Sequence, residues 1–137
     1  MKPKIKKRKL IYKNKRLKIY SQNLINNKKI QKKYFTISTY DYIWIITKIK
    51  KKFVLVEQYR NGPKKITLEF PSGIVDKQID LRKIAIEEIN EETGLNVSKL
   101  VFVEKVNIDV GRLENKAYIF FAECIKKKYL RMKTILM

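Results

Sequence analysis

Four glutamates, Glu87, Glu88, Glu91 and Glu92, end a short apolar-periodic segment just ahead of Gly94. Carboxylates at a helix C-terminus face the negative end of the macrodipole. Glu88 and Glu92 are i,i+4, as are Glu87 and Glu91, and each like-charge pair costs about 0.2–0.5 kcal/mol. On a helical wheel, Leu81, Ile84, Ala85 and Ile89 form one apolar stripe. Glu88 and Glu92 fall within that stripe, Glu91 on its flank and Asn90 opposite. Two carboxylates on a core-facing side need a partner. Oxygen ligands without histidine suit a hard divalent cation, Mg²⁺ or Mn²⁺. The plainer alternative is a solvated acidic helix end. Gly73 opens a loop where a backbone can approach a ligand closely. A metal held there by Glu88 and Glu92 would bridge protein and diphosphate and activate water, splitting a pyrophosphate linkage.

The rest of the composition narrows the chemistry. The chain has 137 residues and no histidine, so Ser-His-Asp catalysis and most zinc sites are excluded. The single cysteine, Cys124, cannot form an internal disulfide and reads as a small buried residue. No apolar run is long enough to span a membrane, and the basic N-terminus lacks the apolar segment of a secretory signal. The sequence reads as that of a soluble cytoplasmic protein.

Formal net charge is +20, which suggests attraction for anions. Lysine outnumbers arginine 27 to 6, with Ile, Asn and Tyr also abundant, as an A/T-rich coding sequence would yield. Arginine, the residue of bidentate base contacts, is scarce. This composition favours drift and general attraction for anionic substrates over a dedicated nucleic-acid site. Seven of the thirteen acids lie within residues 69–92. An acidic island in a basic chain reads as a site.

These residues need positioning elements. Residues 1–9 read as a basic flexible tail, and residues 10–137 as one domain. Strand-like stretches near 16–24 and 30–38 flank Asn26-Asn27-Lys28-Lys29, predicting a hairpin. The runs 40–49 and 52–60 predict a second antiparallel pair, buried on both faces because both runs are almost continuously apolar. A short strand over 65–70 leads into a loop running to Ile79. Asp80 predicts the N-cap of a helix over 81–92, and Gly94 its stop. Strands are predicted over 100–106 and 117–122, around a loop holding Asp109, Gly111, Arg112 and Glu114. The segment from Lys126 reads as a short basic tail.

Residues 73–95 resemble the signature of the Nudix hydrolase family. Gly73, Glu88, Ile89, Glu91, Glu92, Gly94 and Leu95 fall in register with it. Ile79 stands where the family has its first glutamate, and Glu87 where it has arginine. From about Arg8 to Ala122 the chain is similar to the ADP-ribose pyrophosphatase branch, in the N-terminal hairpin, in VLVEQYR, in TLEFPSGIVD and in DVGRLENKAYIFFA.

The resemblance implies an α+β fold, an α/β/α sandwich with a mixed central sheet and an N-terminal antiparallel hairpin. The C-terminal end looks shortened against that branch. It implies Mg²⁺-dependent (or Mn²⁺-dependent) hydrolysis of a nucleoside diphosphate sugar, ADP-ribose foremost, to AMP and a sugar phosphate. Glu88 and Glu92 would be metal ligands, with Glu91 ligating or ordering bridging water and the Ser72 carbonyl joining the shell. Glu91, Glu92 and Glu114 would serve catalysis. Arg60, Glu69 and Gly73 would lie against substrate. Tyr59 and Phe70 read as core residues before base-stacking ones. The branch also implies a homodimer. Two other readings stand beside this one: a weakened relative that binds nucleotide or RNA, motivated by Ile79 and Glu87, and an RNA-cap hydrolase.

Overall fold

A computed structural model describes residues 4–26, 29–75, 79–126 and 134–136. The chain divides into two compact units, Met1–Tyr40 with Asn107–Lys116, and Asp41–Val106 with Ala117–Met137.

The first unit holds three antiparallel strands in the order β1–β2–β3: β1 (Lys4–Lys13), β2 (Leu17–Asn26) and β3 (Lys29–Thr39). The predicted hairpin is β2 and β3, paired from Leu17 with Thr39 to Asn26 with Lys29. Residues 27 and 28 of its turn lie outside the described residues. Residues 4–9, expected in the tail, belong to β1 instead. Their run of lysines shows no apolar alternation, and what makes them a strand is pairing with β2, from Lys4 with Ile25 to Lys13 with Lys18. Residues 1–3 of the expected tail lie outside the described residues. The 107–116 loop docks on β3, where Ile37 N–H donates to the Arg112 carbonyl and Glu114 N–H to that of Ile37.

The second unit is a mixed seven-stranded sheet with one helix among the described residues. Strand order is β10–β5–β4–β9–β8, with β6 on β5 and β7 on β4. The strands are β4 (Tyr42–Ile49), β5 (Lys52–Arg60), β6 (Lys65–Glu69), β7 (Ser72–Ile74), β8 (Asn96–Asn107), β9 (Lys116–Ile125) and β10 (Thr134–Leu136). β4 and β9 run parallel. The predicted polar break between β4 and β5 is a tight turn with Lys50 at φ 52°.

Helix α1 (Leu81–Thr93) has the expected ends. The Asp80 side chain accepts from Arg82 N–H, and Gly94 closes the helix at φ 68°, a left-handed conformation suited to glycine. Its buried residues are Ile84, Ala85, Ile89 and Thr93. They join Ile43, Ile45, Val54, Leu95 and Phe120 in the core.

Three expectations are corrected here. β4 is not buried on both faces, and β5 is so only at Val54–Val56, where Leu55 is 8% exposed between two buried valines. Ile43, Ile45, Thr47 and Ile49 are buried against the helix side, while Trp44 and Phe53 are 40% and 47% exposed. A single helix among the described residues, on one face, is the reason. Residues 72–74, read as loop, form β7, because Gly73 pairs with Ile43. The C-terminal segment, read as a short basic tail, contributes β10, which pairs with Val54–Val56 of β5. Cys124 is buried as expected, and burial pushes its thiol up to about 11. No described helix is long and apolar enough to cross a membrane.

Candidate active site

The last two turns of α1 lie beneath β7. Ser72 N–H donates to Glu92 Oε2 at 3.1 Å. The next residue, Gly73, sits on Glu88: a Cβ there would stand 2.5 Å from Glu88 Cδ and 2.6 Å from Cγ, and closer still to Oε1. Consecutive strand residues thus seat the two acids that are i,i+4 on the helix. Only glycine leaves room for this, and what closely approaches its backbone is the glutamate itself.

Glu88 and Glu92 are half-buried, while Glu87 and Glu91 are exposed, as the wheel predicted. Asn90, expected opposite the stripe, is half-buried instead and its amide reaches the Leu95 carbonyl at 3.5 Å. Glu88 is held above the ordinary carboxylate range by burial first, then by the charges of Glu92, Glu91 and Glu87. Among the described residues, no lysine or arginine forms an ion pair with Glu88, Glu91 or Glu92. Glu87 turns aside to Lys83, 3.9 Å away on the exposed flank.

Among the described residues no three carboxylate or thiol side chains stand together as a closed metal cage. An Mg²⁺ site needs no such cage. That ion keeps several waters and takes one or two protein carboxylates with substrate oxygens. A half-buried pair of carboxylates on one helix face, with no ion pair to either among the described residues and only the field of Arg60 acting on Glu92, fits such an open site.

Sequence reasoning missed Gln58. Its Nε2 donates to Glu92 Oε1 at 2.7 Å, so both oxygens of Glu92 are held by the sheet. The signal lay in β5, where Gln58 and Arg60 continue the inward row of Val54 and Val56. A polar residue on a buried row needs a partner. Arg60 finds Glu69 on the neighbouring strand, with Nε at 2.9 Å from Oε1 and Nη2 at 2.6 Å from Oε2. Thr67 also donates to Glu69. This guanidinium, ahead of the other influences, holds the Glu69 carboxyl below its usual range. Glu69, Ser72, Trp44, Ile46, Phe70 and Ile119 line an open cleft of about 490 Å³. Phe70 packs edge-on against Phe53. Tyr59 is 62% exposed and is no core residue, because it points outward from β5.

The structure therefore brings together Glu88, Glu92, Ser72 and Gly73, leaves Glu91 on the exposed flank, and pairs Arg60 with Glu69. Glu114 lies in the first unit, where Arg8 Nη2 at 2.8 Å and Thr36 Oγ1 at 2.5 Å both donate to it.

This geometry has known counterparts. The fold is that of a crystal structure described as an ADP compounds hydrolase, with a TM-score of 0.83, 18% identity, and coverage of 99% of this chain and 78% of that one. It is the mixed-sheet, Nudix-like α+β arrangement. In sequence, the chain is 37% identical to the putative nudix hydrolase 2 of Caenorhabditis elegans over 70 residues, 48% of this chain and 31% of that protein. It is 28% identical to the ADP-ribose pyrophosphatase of Bacillus subtilis (strain 168) over 72 residues, 53% and 39% of the two chains. It is also 30% identical to the methanol dehydrogenase activator of Bacillus methanolicus over 79 residues, 58% and 43%. The chain spans less than half the length of these curated relatives. No family model matches it. The resemblance to Nudix hydrolases of the ADP-ribose pyrophosphatase type holds in both sequence and fold.

Proposed function

We propose that the protein is a hydrolase that cleaves the pyrophosphate linkage of a nucleoside diphosphate sugar, with ADP-ribose as the leading substrate. The observation that carries this reading is the seating of Glu88 and Glu92 by Gly73 and Ser72, with no ion pair to either among the described residues and only the more distant field of Arg60 acting on Glu92. Glu88 and Glu92 would hold Mg²⁺ or Mn²⁺, with Glu91 and the Ser72 carbonyl as additional oxygen donors. When bound, the metal neutralises diphosphate charge and lowers the pKa of water. Gln58 and the Ser72 N–H fix the Glu92 carboxylate. The cleft beside Ser72 has the size and apolar lining of a small-molecule pocket, and Trp44 offers an aromatic face to a base. Glu69, which lines that cleft, and its partner Arg60 would offer charge to phosphate or ribose.

In the reaction, a water oxygen bonds to one phosphorus and the bridging P–O bond breaks. The bridging oxygen leaves on the other phosphate, and the water's proton passes to a carboxylate, for which Glu91 and Glu92 are the candidates. ADP-ribose and water give AMP and ribose 5-phosphate. The reading includes a homodimer through the N-terminal sheet, supported by Ile5, Leu10 and Tyr34, exposed on one of its faces.

The experiment is AMP release from ADP-ribose by the full chain with Mg²⁺ or Mn²⁺, expected for the parent and lost in Glu92→Gln. Absence of product from every nucleoside diphosphate derivative tested, with either metal, would overturn the reading.

A further inference from the structure

The N-terminal sheet has a face that the proposed hydrolysis does not use. Strand pairing sets Lys9, Ser21 and Phe35 side by side, with Lys7, Asn23 and Lys33 in the next row on the same face. Tyr12, Ile19 and Ile37 form a third row there. Every residue of β1 is exposed, and Tyr12 and Phe35 are each 52% exposed. Lys33 Nζ lies 5.8 Å from the centre of the Phe35 ring. The face therefore alternates free ammonium groups with aromatic rings open to solvent.

Its charge is unopposed. Residues 1–40 contain fourteen Lys or Arg and no acid. The only acids of this unit, Asp109 and Glu114, are bonded to Arg112 and Arg8. Among the described residues no carboxylate pairs with Lys7, Lys9 or Lys33. Composition drift accounts for many lysines. It does not account for their shared rows with exposed aromatic rings.

We propose that this face binds single-stranded nucleic acid, with phosphates against Lys7, Lys9 and Lys33 and bases stacked on Phe35 and Tyr12. Lysines track a backbone without reading sequence, and aromatic rings accept any unpaired base. A duplex keeps its bases stacked inside and presents only phosphates to such a face. The homodimer of the proposed function uses the opposite face, that of Ile5, Leu10 and Tyr34, and leaves this one to another ligand.

The test uses the full chain and a fluorescein-labelled twelve-residue oligouridine, read by anisotropy between about 50 and 200 mM salt. Binding is expected to weaken with salt, and a Lys7→Ala, Lys9→Ala, Lys33→Ala variant to flatten the log–log slope by about two. Phe35→Ala is expected to weaken binding by roughly five- to hundredfold while keeping that slope. A duplex of equal length is expected to bind more weakly than the single strand. Circular dichroism of each variant shows whether the sheet is intact, and Phe35→Leu, which keeps the apolar bulk but not the ring, serves if Phe35→Ala unfolds. No binding at 50 mM salt, equal binding of duplex and single strand, or binding unchanged by loss of the Phe35 ring would each overturn the proposal. So would sedimentation showing a dimer that Phe35→Ala dissociates while RNA fails to bind, which would assign the face to self-association.

Discussion

Gln58 and Glu92 lie thirty-four residues apart in sequence and 2.7 Å apart in space, amide nitrogen to carboxylate oxygen. With the Ser72 N–H on the other oxygen, this bond fixes the plane of a carboxylate on the proposed reaction path. A group that orients a ligating carboxylate matters nearly as much as the ligand. Gln58→Leu keeps the side-chain bulk and removes the donor. It is expected to lower Mn²⁺ affinity by roughly tenfold, and kcat for ADP-ribose by about ten- to hundredfold, with KM little changed. Calorimetric titration and steady-state kinetics read these. Metal affinity and kcat both within twofold of the parent would show that the amide holds nothing of consequence.

Gly73 and Glu88 form a second coupled pair. A methyl group at position 73 meets the middle of the Glu88 side chain and not merely its flexible end. Overpacking of this kind costs about 1–3 kcal/mol. Gly73→Ala should be destabilised by that amount in urea unfolding. The informative measurement is the double variant Gly73→Ala, Glu88→Ala, which should recover most of the loss. Contacting residues depart from additivity, and separate ones do not. Additive losses would mean that Gly73 is required by its backbone and not by Glu88.

How far the sequence foretold this site follows from which constraints are local. Helix α1 was legible because Asp80, the Ile84–Ala85–Ile89 stripe and Gly94 all act within a few turns of one another. The half-burial of Glu88 and Glu92 followed from that stripe. Strand β1 was not legible. A lysine run carries no period, and its strand state depends on a register with β2. Gln58 was hidden because its partner lies on a helix three elements later in the chain. A still longer separation hid the fate of Glu114, whose partner Arg8 is 106 residues away. The apolar runs of β4 and β5 misled in part, for another reason. They specify strands but not how many faces are covered, so the exposure of Trp44 appears only when the layers are counted.

The Arg60–Glu69 pair sets a pH dependence. The Glu69 carboxyl is lowered from 4.5, chiefly by the bond from Arg60 and aided by Thr67. A lowered carboxylate contributes stability that is complete above its unfolded pKa and is lost as pH falls through its folded value. Both side chains are substantially solvent-accessible, at 43% and 29%, so screening keeps the effect small. Glu69→Gln should melt slightly below the parent at pH 7. That gap should narrow as pH drops below about 4.5. Thermal melts between pH 3 and 7 measure it, and a gap that widens in acid would contradict the assigned direction.

Glu88 carries the opposite sign. Burial and three neighbouring glutamates raise its carboxyl above 4.5, so the native state holds the proton more tightly than the unfolded chain. Stability is then lost as pH rises from about 4.5 through the raised value, and the cost is fully present above it. Glu88→Gln removes the charge while keeping the shape. Without metal at pH 8 it should melt above the parent, and below about pH 4.5 the two should melt together. Saturating Mn²⁺ should reverse the order at pH 8, because a ligand that binds only the native parent stabilises it by mass action. A Glu88→Gln protein that melts at or below the metal-free parent at pH 8 would show that its surroundings already compensate the charge, and the case for a cation at this helix face would lose its footing.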